Sequence, residues 1–167
     1  MHKILVSRCL LGERVCYDGG SHGPFVLLEE WRRQGRLVAV CPEVAGGLPT
    51  PRPPVEIPGG QGTRVLDGEC GVLTVDGADV GAAFLAGARA ALRLVEANGI
   101  RLAVLKARSP SCGNHENYDG SFAGRRVPGE GVTAALLRRH GVRVFSEEEL
   151  MDAVTALAAL EAGEDAR

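Results

Sequence analysis

The sequence predicts an α/β fold: a three-layer domain whose mostly parallel sheet carries helices on both faces, with a small β-hairpin inserted. Two observations predict it. Short apolar runs recur at Ile4–Val6, Leu37–Val40 and Leu102–Leu105, each suited to a strand and too short for a helix, and Val142–Phe145 reads as a fourth strand. Stretches of helical period lie between them, and strands alternating with helices lead to parallel pairing.

Lys3–Ser7 opens the chain as a buried strand. Pro24–Gln34 places Phe25, Leu28 and Trp31 at helical spacing and stops at Gly35, the pattern of an amphipathic helix. Arg36–Val40 is the second strand. From Cys41 to Gly62 the density of Pro and Gly predicts loop throughout, and a loop of that length in a compact domain is more often functional than idle. Arg64–Leu66 and Gly71–Val75, joined across Asp67-Gly68, predict the inserted hairpin. A long helix runs from Asp79, its N-cap, to Glu96, and Asn98-Gly99 closes it. Ile100–Lys106 is the third strand, followed by an irregular segment over Ala107–Gly131, a helix over Val132–His140 and the fourth strand, Val142–Phe145. Ser146 and Glu149 form a capping box for a final helix reaching Leu160. A single Rossmann-like domain over residues 1–162 with a polar tail over 163–167 is expected.

A chain of 167 residues buries roughly 70% of its unfolded surface without covalent staples. Its 19 basic and 21 acidic side chains leave a net charge of −2, which predicts no bulk attraction to nucleic acid or to an anionic membrane. No apolar stretch approaches the roughly 20 residues of a membrane span, and Arg8 interrupts the first run before a secretory segment forms. The expected setting is cytoplasmic, the expected partner a small molecule, and the chain a monomer or homodimer. In a reducing compartment, five cysteines read as metal ligands or catalytic thiols rather than as disulfides.

Cys9, Cys41 and Cys112 each sit just past one of the apolar runs. Parallel strands align their carboxyl ends along one sheet edge, so three thiols far apart in sequence converge. The chain has no C-x-x-C, and the seven-residue step from Cys9 to Cys16 matches no zinc motif. Thiolates without histidine at matching spacing point to an iron–sulfur cluster or to zinc. Cys16, in the first βα loop, is the alternative ligand. Cys70 lies in the hairpin region and reads as structural, and His115, three residues past Cys112, is the histidine nearest the proposed site. Glu43, two residues beyond Cys41, is placed to turn its carboxylate toward whatever the thiols hold. Ser109 and Ser111 flank Pro110 directly before Cys112, where a hydroxyl can donate to a substrate oxygen or orient a water. Arg52, in Thr-Pro-Arg-Pro, suits an anionic or carbonyl group, and Asp18, in the turn tripeptide Tyr-Asp-Gly, is a second candidate for substrate contact.

The segments I-L-V-S-R-C-L-L-G (4–12), C-Y-D-G (16–19), C-P-E-V-A-G-G-L-P-T-P-R (41–52), K-A-R-S-P-S-C-G (106–113), Y-D-G-S-F-A-G (118–124) and G-E-G-V-T-A-A-L-L (129–137) resemble the 2-thiouracil desulfurase family, in order and over nearly the whole chain. The resemblance implies a [4Fe-4S] cluster held by three cysteines, with one iron free of protein. It also implies hydrolytic removal of sulfur from a thiolated pyrimidine, the sulfur leaving as hydrogen sulfide without net redox change. Carried over residue by residue, Cys9, Cys41 and Cys112 are the ligands, with Cys16 as the alternative, and Glu43 with Ser109 or Ser111 supplies the catalytic polar groups. Arg8 departs from the small residue many relatives carry before the first cysteine. Two competing readings stand beside this one. A non-catalytic iron–sulfur or zinc carrier or sensor needs neither Glu43 nor the serines. Sulfur transfer in the thiolation direction lacks both a basic tract for RNA and a Gly-rich ATP signature.

Overall fold

The computed structural model describes residues 1–163, so residues 164–167 of the expected tail lie outside the described residues. In chain order the elements are β1 (Ile4–Ser7), α1 (Val26–Arg33), β2 (Leu37–Val40), α2 (Pro42–Ala45), β3 (Val55–Glu56), α3 (Gly62–Leu66), β4 (Leu73–Thr74), α4 (Gly81–Asn98), β5 (Leu102–Leu105), β6 (Glu116–Tyr118), β7 (Arg126–Pro128), α5 (Val132–Arg139), β8 (Arg143–Ser146) and α6 (Leu150–Glu161). Four of the strands form the central sheet in the order β2-β1-β5-β8, every neighbouring pair parallel. Ile4 lies opposite both Leu37 and Leu102, so the carboxyl ends of β1, β2 and β5 finish level with one another. The chain winds from β1 outward to β2, then crosses back over β1 to β5 and β8. The reversal falls between β1 and β5, and the loops leaving those strands part there to open a crevice.

The core explains the uninterrupted apolar runs. In β1 and β5, Ile4, Val6, Leu102 and Val104 pack with Leu28 and Trp31 of α1 and with Ala153 and Leu157 of α6. Their neighbours Leu5, Ala103 and Leu105 point the other way, into Ala91 and Val95 of α4 and Ala134 and Leu137 of α5. Successive side chains of a strand face opposite sides, and a sheet covered on both faces needs apolar residues at every position.

The Gly99 stop and the Ser146–Glu149 box form as the sequence indicates, but the N-cap of α4 is Val80 rather than the expected Asp79, which sits one residue earlier. Asp79 Oδ1 accepts from the backbone N–H of Gly81 at 2.7 Å, just ahead of α4, and Gly99 closes that helix in the left-handed region. The Ser146–Glu149 capping box is present, and a 3₁₀ turn over Glu147–Glu149 leads into α6.

The inserted hairpin is different from the expectation. Arg64–Leu66 is the end of α3, and β4 pairs antiparallel with β3, inside the segment read as loop. Two adjacent apolar residues, Val65 and Leu66, fit either period, and burial of Val65 with Ile57, Val72, Phe84 and Val132 in a third apolar cluster decides for helix. A second antiparallel ladder, β6 with β7, forms in the segment expected to be irregular. Its residues are mostly polar and only Asn117 is buried, so no apolar alternation marks it in the sequence.

One close approach fixes the position of α2. A Cβ at Gly87 would overlap the carbonyl oxygen of Pro42, and one at Gly46 would overlap that of Ala83. Helices α2 and α4 therefore meet backbone to backbone, directly behind Cys41 and Glu43.

Candidate active site

The carboxyl ends of β1, β2 and β5 open into a cleft of about 540 Å³. Beyond β1, a 3₁₀ turn over Arg8–Leu11 carries Cys9 into its wall. Beyond β2, Cys41 leads into Pro42 at the start of α2, a position where the missing N–H costs no helical bond, and the turn sets Glu43 against the cleft. Beyond β5, Arg108 takes a left-handed backbone conformation, φ 61°, that a non-glycine residue adopts only under strain. Ion pairs to Glu148 and Glu116 hold it there. The turn brings Ser109, Ser111 and Cys112 to the cleft.

Cys9, Cys16, Cys41 and Cys112 all line this space. Burial pushes the Cys9 thiol far above its usual range, and Cys112, Cys16 and Cys41 push it further. Burial raises Cys112 to about 12, although hydrogen bonds from Ser111 and Ser7 pull the other way. Thiols that repel one another when ionised and are poorly solvated gain from a soft cationic centre, which neutralises them together. The donor set therefore fits a thiolate-held iron–sulfur cluster.

Beside the thiols runs a chain of polar side chains. Arg52 Nε donates to Glu43 Oε1 at 3.0 Å, with the two side chains only 5% and 13% exposed. Arg52 also donates to Val15 O at 2.9 Å, Pro49 O at 3.1 Å and Thr50 Oγ1 at 3.0 Å. Ser111, 1% exposed, lies with its Oγ 3.1 Å from Glu43 Oε2, 3.0 Å from Ser109 Oγ and 3.4 Å from Cys112 Sγ. Ser109 Oγ accepts the backbone N–H of both Ser111 and Cys112, each at 3.1 Å. With two donors already on its oxygen, its own hydrogen points on to Ser111 or to a molecule in the cleft.

A family model described as 2-thiouracil desulfurase matches residues 4–149. The chain belongs to the 2-thiouracil desulfurase family. It is 42% identical over 149 residues to the uncharacterized protein YbbK of Bacillus subtilis (strain 168), a match spanning 89% of this chain and 98% of that protein. A solved structure titled a [4Fe-4S]-dependent thiouracil desulfidase, TudS, is 50% identical and superposes with a TM-score of 0.87, covering 95% of this chain and 99% of the other. The mostly parallel sheet and flanking helices are the shared fold of this family and of that structure.

In this desulfurase-family chain, every site residue named from the sequence lines the one cleft: the four cysteines, Glu43, Ser109, Ser111, Arg52 and Asp18. Arg52 turns its donors toward protein acceptors, and Asp18 Oδ1 accepts from Gly20 N at 2.8 Å in the loop that bounds the cleft. Cys70 does not line it and packs against the third apolar cluster. His115 is not in the cleft either: its ring nitrogen meets Glu149 at 2.8 Å, at the start of α6. The histidine that does line the cleft is His22, because its backbone N–H donates to Cys9 O at 2.8 Å. No local signal marks that contact. Lys106 also lines the cleft, its Nζ 2.9 Å from Glu147 Oε2. Its place at the exit of β5 is the same signal that marks the cysteines.

Proposed function

We propose that this protein is an iron–sulfur-dependent desulfurase that removes sulfur hydrolytically from a thiolated pyrimidine such as thiouracil. The observation that carries the reading is the Arg52–Glu43–Ser111–Ser109 chain alongside the convergent thiols in one cleft. A carrier or sensor needs only the thiols. Cys9, Cys41 and Cys112, one from each of three strand exits, are the proposed cluster ligands. Cys16 comes from the loop between β1 and α1 and is the alternative. When bound, the cluster supplies a soft Lewis-acidic iron for the sulfur of the substrate, which makes the adjacent carbon more open to attack by water.

The chain's own residues do the rest. Arg52 fixes Glu43 through Oε1 while Ser111 donates to Oε2, whose remaining lone pair takes the proton of the attacking water. Arg52 is thus a positioning residue in this reading, rather than the substrate contact its sequence context suggests. Ser111 links Glu43 to Ser109, and Ser109 donates its remaining hydrogen toward the bound ring. Val15, Val40, Pro53 and Pro54 give the flat base an apolar lining that limits water around it. Asp18 is placed to accept a ring N–H. Among the described residues no helix is long and apolar enough to cross a membrane. We place the enzyme in the cytoplasm, the reducing setting in which unpaired thiols and such a cluster persist.

The test is anaerobic purification with iron and sulfide analysis, followed by hydrogen sulfide assays on 2-thiouracil and 4-thiouracil. Glu43→Ala is expected to keep the visible absorption of the cluster and lose sulfide release. Turnover by that variant at the parental rate would remove Glu43 from the reaction, and a chain that binds no iron or sulfide would overturn the proposal.

A further inference from the structure

The sulfur atoms of Cys9 and Cys16 and a ring nitrogen of His22 all lie within 4.8 Å of one another. Around a tetrahedral zinc ion, with bonds of about 2.0–2.3 Å, such atoms sit roughly 3.5–4 Å apart, so only a small closure separates this triad from a ligand set. The loop's backbone holds the triad in place. His22 N donates to Cys9 O at 2.8 Å, Cys16 N to Gly20 O at 3.1 Å and Gly19 N to Cys16 O at 2.8 Å. The ligands are therefore positioned before any ion arrives, and from a spacing that matches no sequence motif for zinc.

We propose that Cys9, Cys16 and His22 form a site for a single soft divalent cation of the zinc type, filled when the cluster is absent. Two thiolates and a neutral imidazole balance the double charge of the ion, and two thiol protons leave on binding. A fourth position stays open to water. Cys9 cannot serve both groups, so the ion and the cluster exclude each other. That exclusion rests on Cys9 being a cluster ligand, as proposed above, whereas the zinc site itself does not.

The test uses the full chain freed of iron under anaerobic conditions. Zinc affinity is measured by competition with a chromophoric chelator, and cobalt(II) serves as a spectroscopic stand-in. One ion per chain is expected. His22→Ala and Cys16→Ser should each weaken zinc at least about tenfold, the loss that removal of even an outer-sphere partner brings. His22→Ala should also change the cobalt spectrum, and Cys112→Ser should leave zinc affinity unaltered. His22 is exposed, so its replacement leaves the fold intact and decides the matter alone if Cys16→Ser does not fold. No binding, affinity indifferent to His22→Ala, or affinity lost in Cys112→Ser would each overturn the site. In a second arm, the zinc-loaded chain should fail to develop cluster absorption with iron and sulfide until a chelator is added, whereas His22→Ala develops it in the presence of zinc. Cluster assembly on the zinc-loaded chain would refute the sharing of Cys9. A chain that assembles no cluster under any condition would instead refute the proposed function, and the zinc titration would still read out.

Discussion

Replacing Arg52 with Met removes the cation that faces Glu43 across 3.0 Å in a nearly water-free setting. At that distance and an effective dielectric of about 20, the attraction between the pair is about 5–6 kcal/mol. Desolvation of the arginine offsets part of it. What remains after the substitution is a carboxylate with 13% exposure and no counter-charge, together with acceptors on Val15, Pro49 and Thr50 that lose their donor. Breaking a buried pair from one side costs about 3–5 kcal/mol. In a chain of this size each kcal/mol lowers Tm by about 2–4 °C, so a fall of roughly 6–20 °C is expected. Turnover should drop about 100-fold if Glu43 moves by ~1 Å. The assay is a pair of measurements on the cluster-loaded protein: urea unfolding and sulfide release. The double variant Glu43→Gln/Arg52→Met is the discriminating control. It should recover most of the stability, because neither charge is left alone, and none of the activity. A loss below about 1 kcal/mol for Arg52→Met would mean that the pair behaves like an exposed one, and the positioning argument would fall.

Ser109→Ala and Ser111→Ala should separate. Ser109→Ala strands two backbone N–H groups and costs about 1–3 kcal/mol in urea unfolding, whereas Ser111→Ala leaves those bonds intact and acts mainly on sulfide release. Gly87→Ala gains about 1 kcal/mol of helix propensity but overlaps the Pro42 carbonyl oxygen. The clash wins, with a net loss of up to about 2 kcal/mol and reduced sulfide release, because α2 carries Glu43. In the cluster-free chain, stability should fall as pH rises above 9.0, the ordinary thiol value. The unfolded chain sheds the Cys9 and Cys112 protons there, while the folded chain keeps that of Cys112 up to about 12. The stabilising contribution is complete below that window and lost through it. Urea midpoints that do not change across it would contradict the burial of these thiols.

The parallel sheet was legible because its two central strands are short apolar runs buried on both faces, and β1 shows why: Ile4 and Val6 enter one cluster and Leu5 the other. Cys9 and Cys41 were legible because they follow the ends of parallel strands, which finish along one carboxyl edge. Several features were not legible, among them α2, inside the segment read as loop, and the polar β6–β7 ladder. Strand β3 lies in a Pro-rich stretch and owes its existence to Leu73–Thr74, a pairing partner far along the chain. Helix α3 is too short to show a period. The placement of His22 rests on a backbone hydrogen bond across thirteen residues, which side-chain chemistry does not announce. Arg52 was visible as a site residue, but its direction was not, because the carbonyl groups that hold it come from two separate loops.

The division between the two layers of core and the loops above them has a consequence for how such a protein changes over time. The side chains that keep the sheet folded point sideways, into helices, and those that meet a ligand stand on the segments leaving its carboxyl edge. Substitutions at exposed cleft positions such as Tyr17, Asp18 and Ser21 can therefore reshape what the cleft accepts without disturbing a packed interior. Selectivity and foldedness are carried by different atoms, and a lineage is free to explore one while the other holds still.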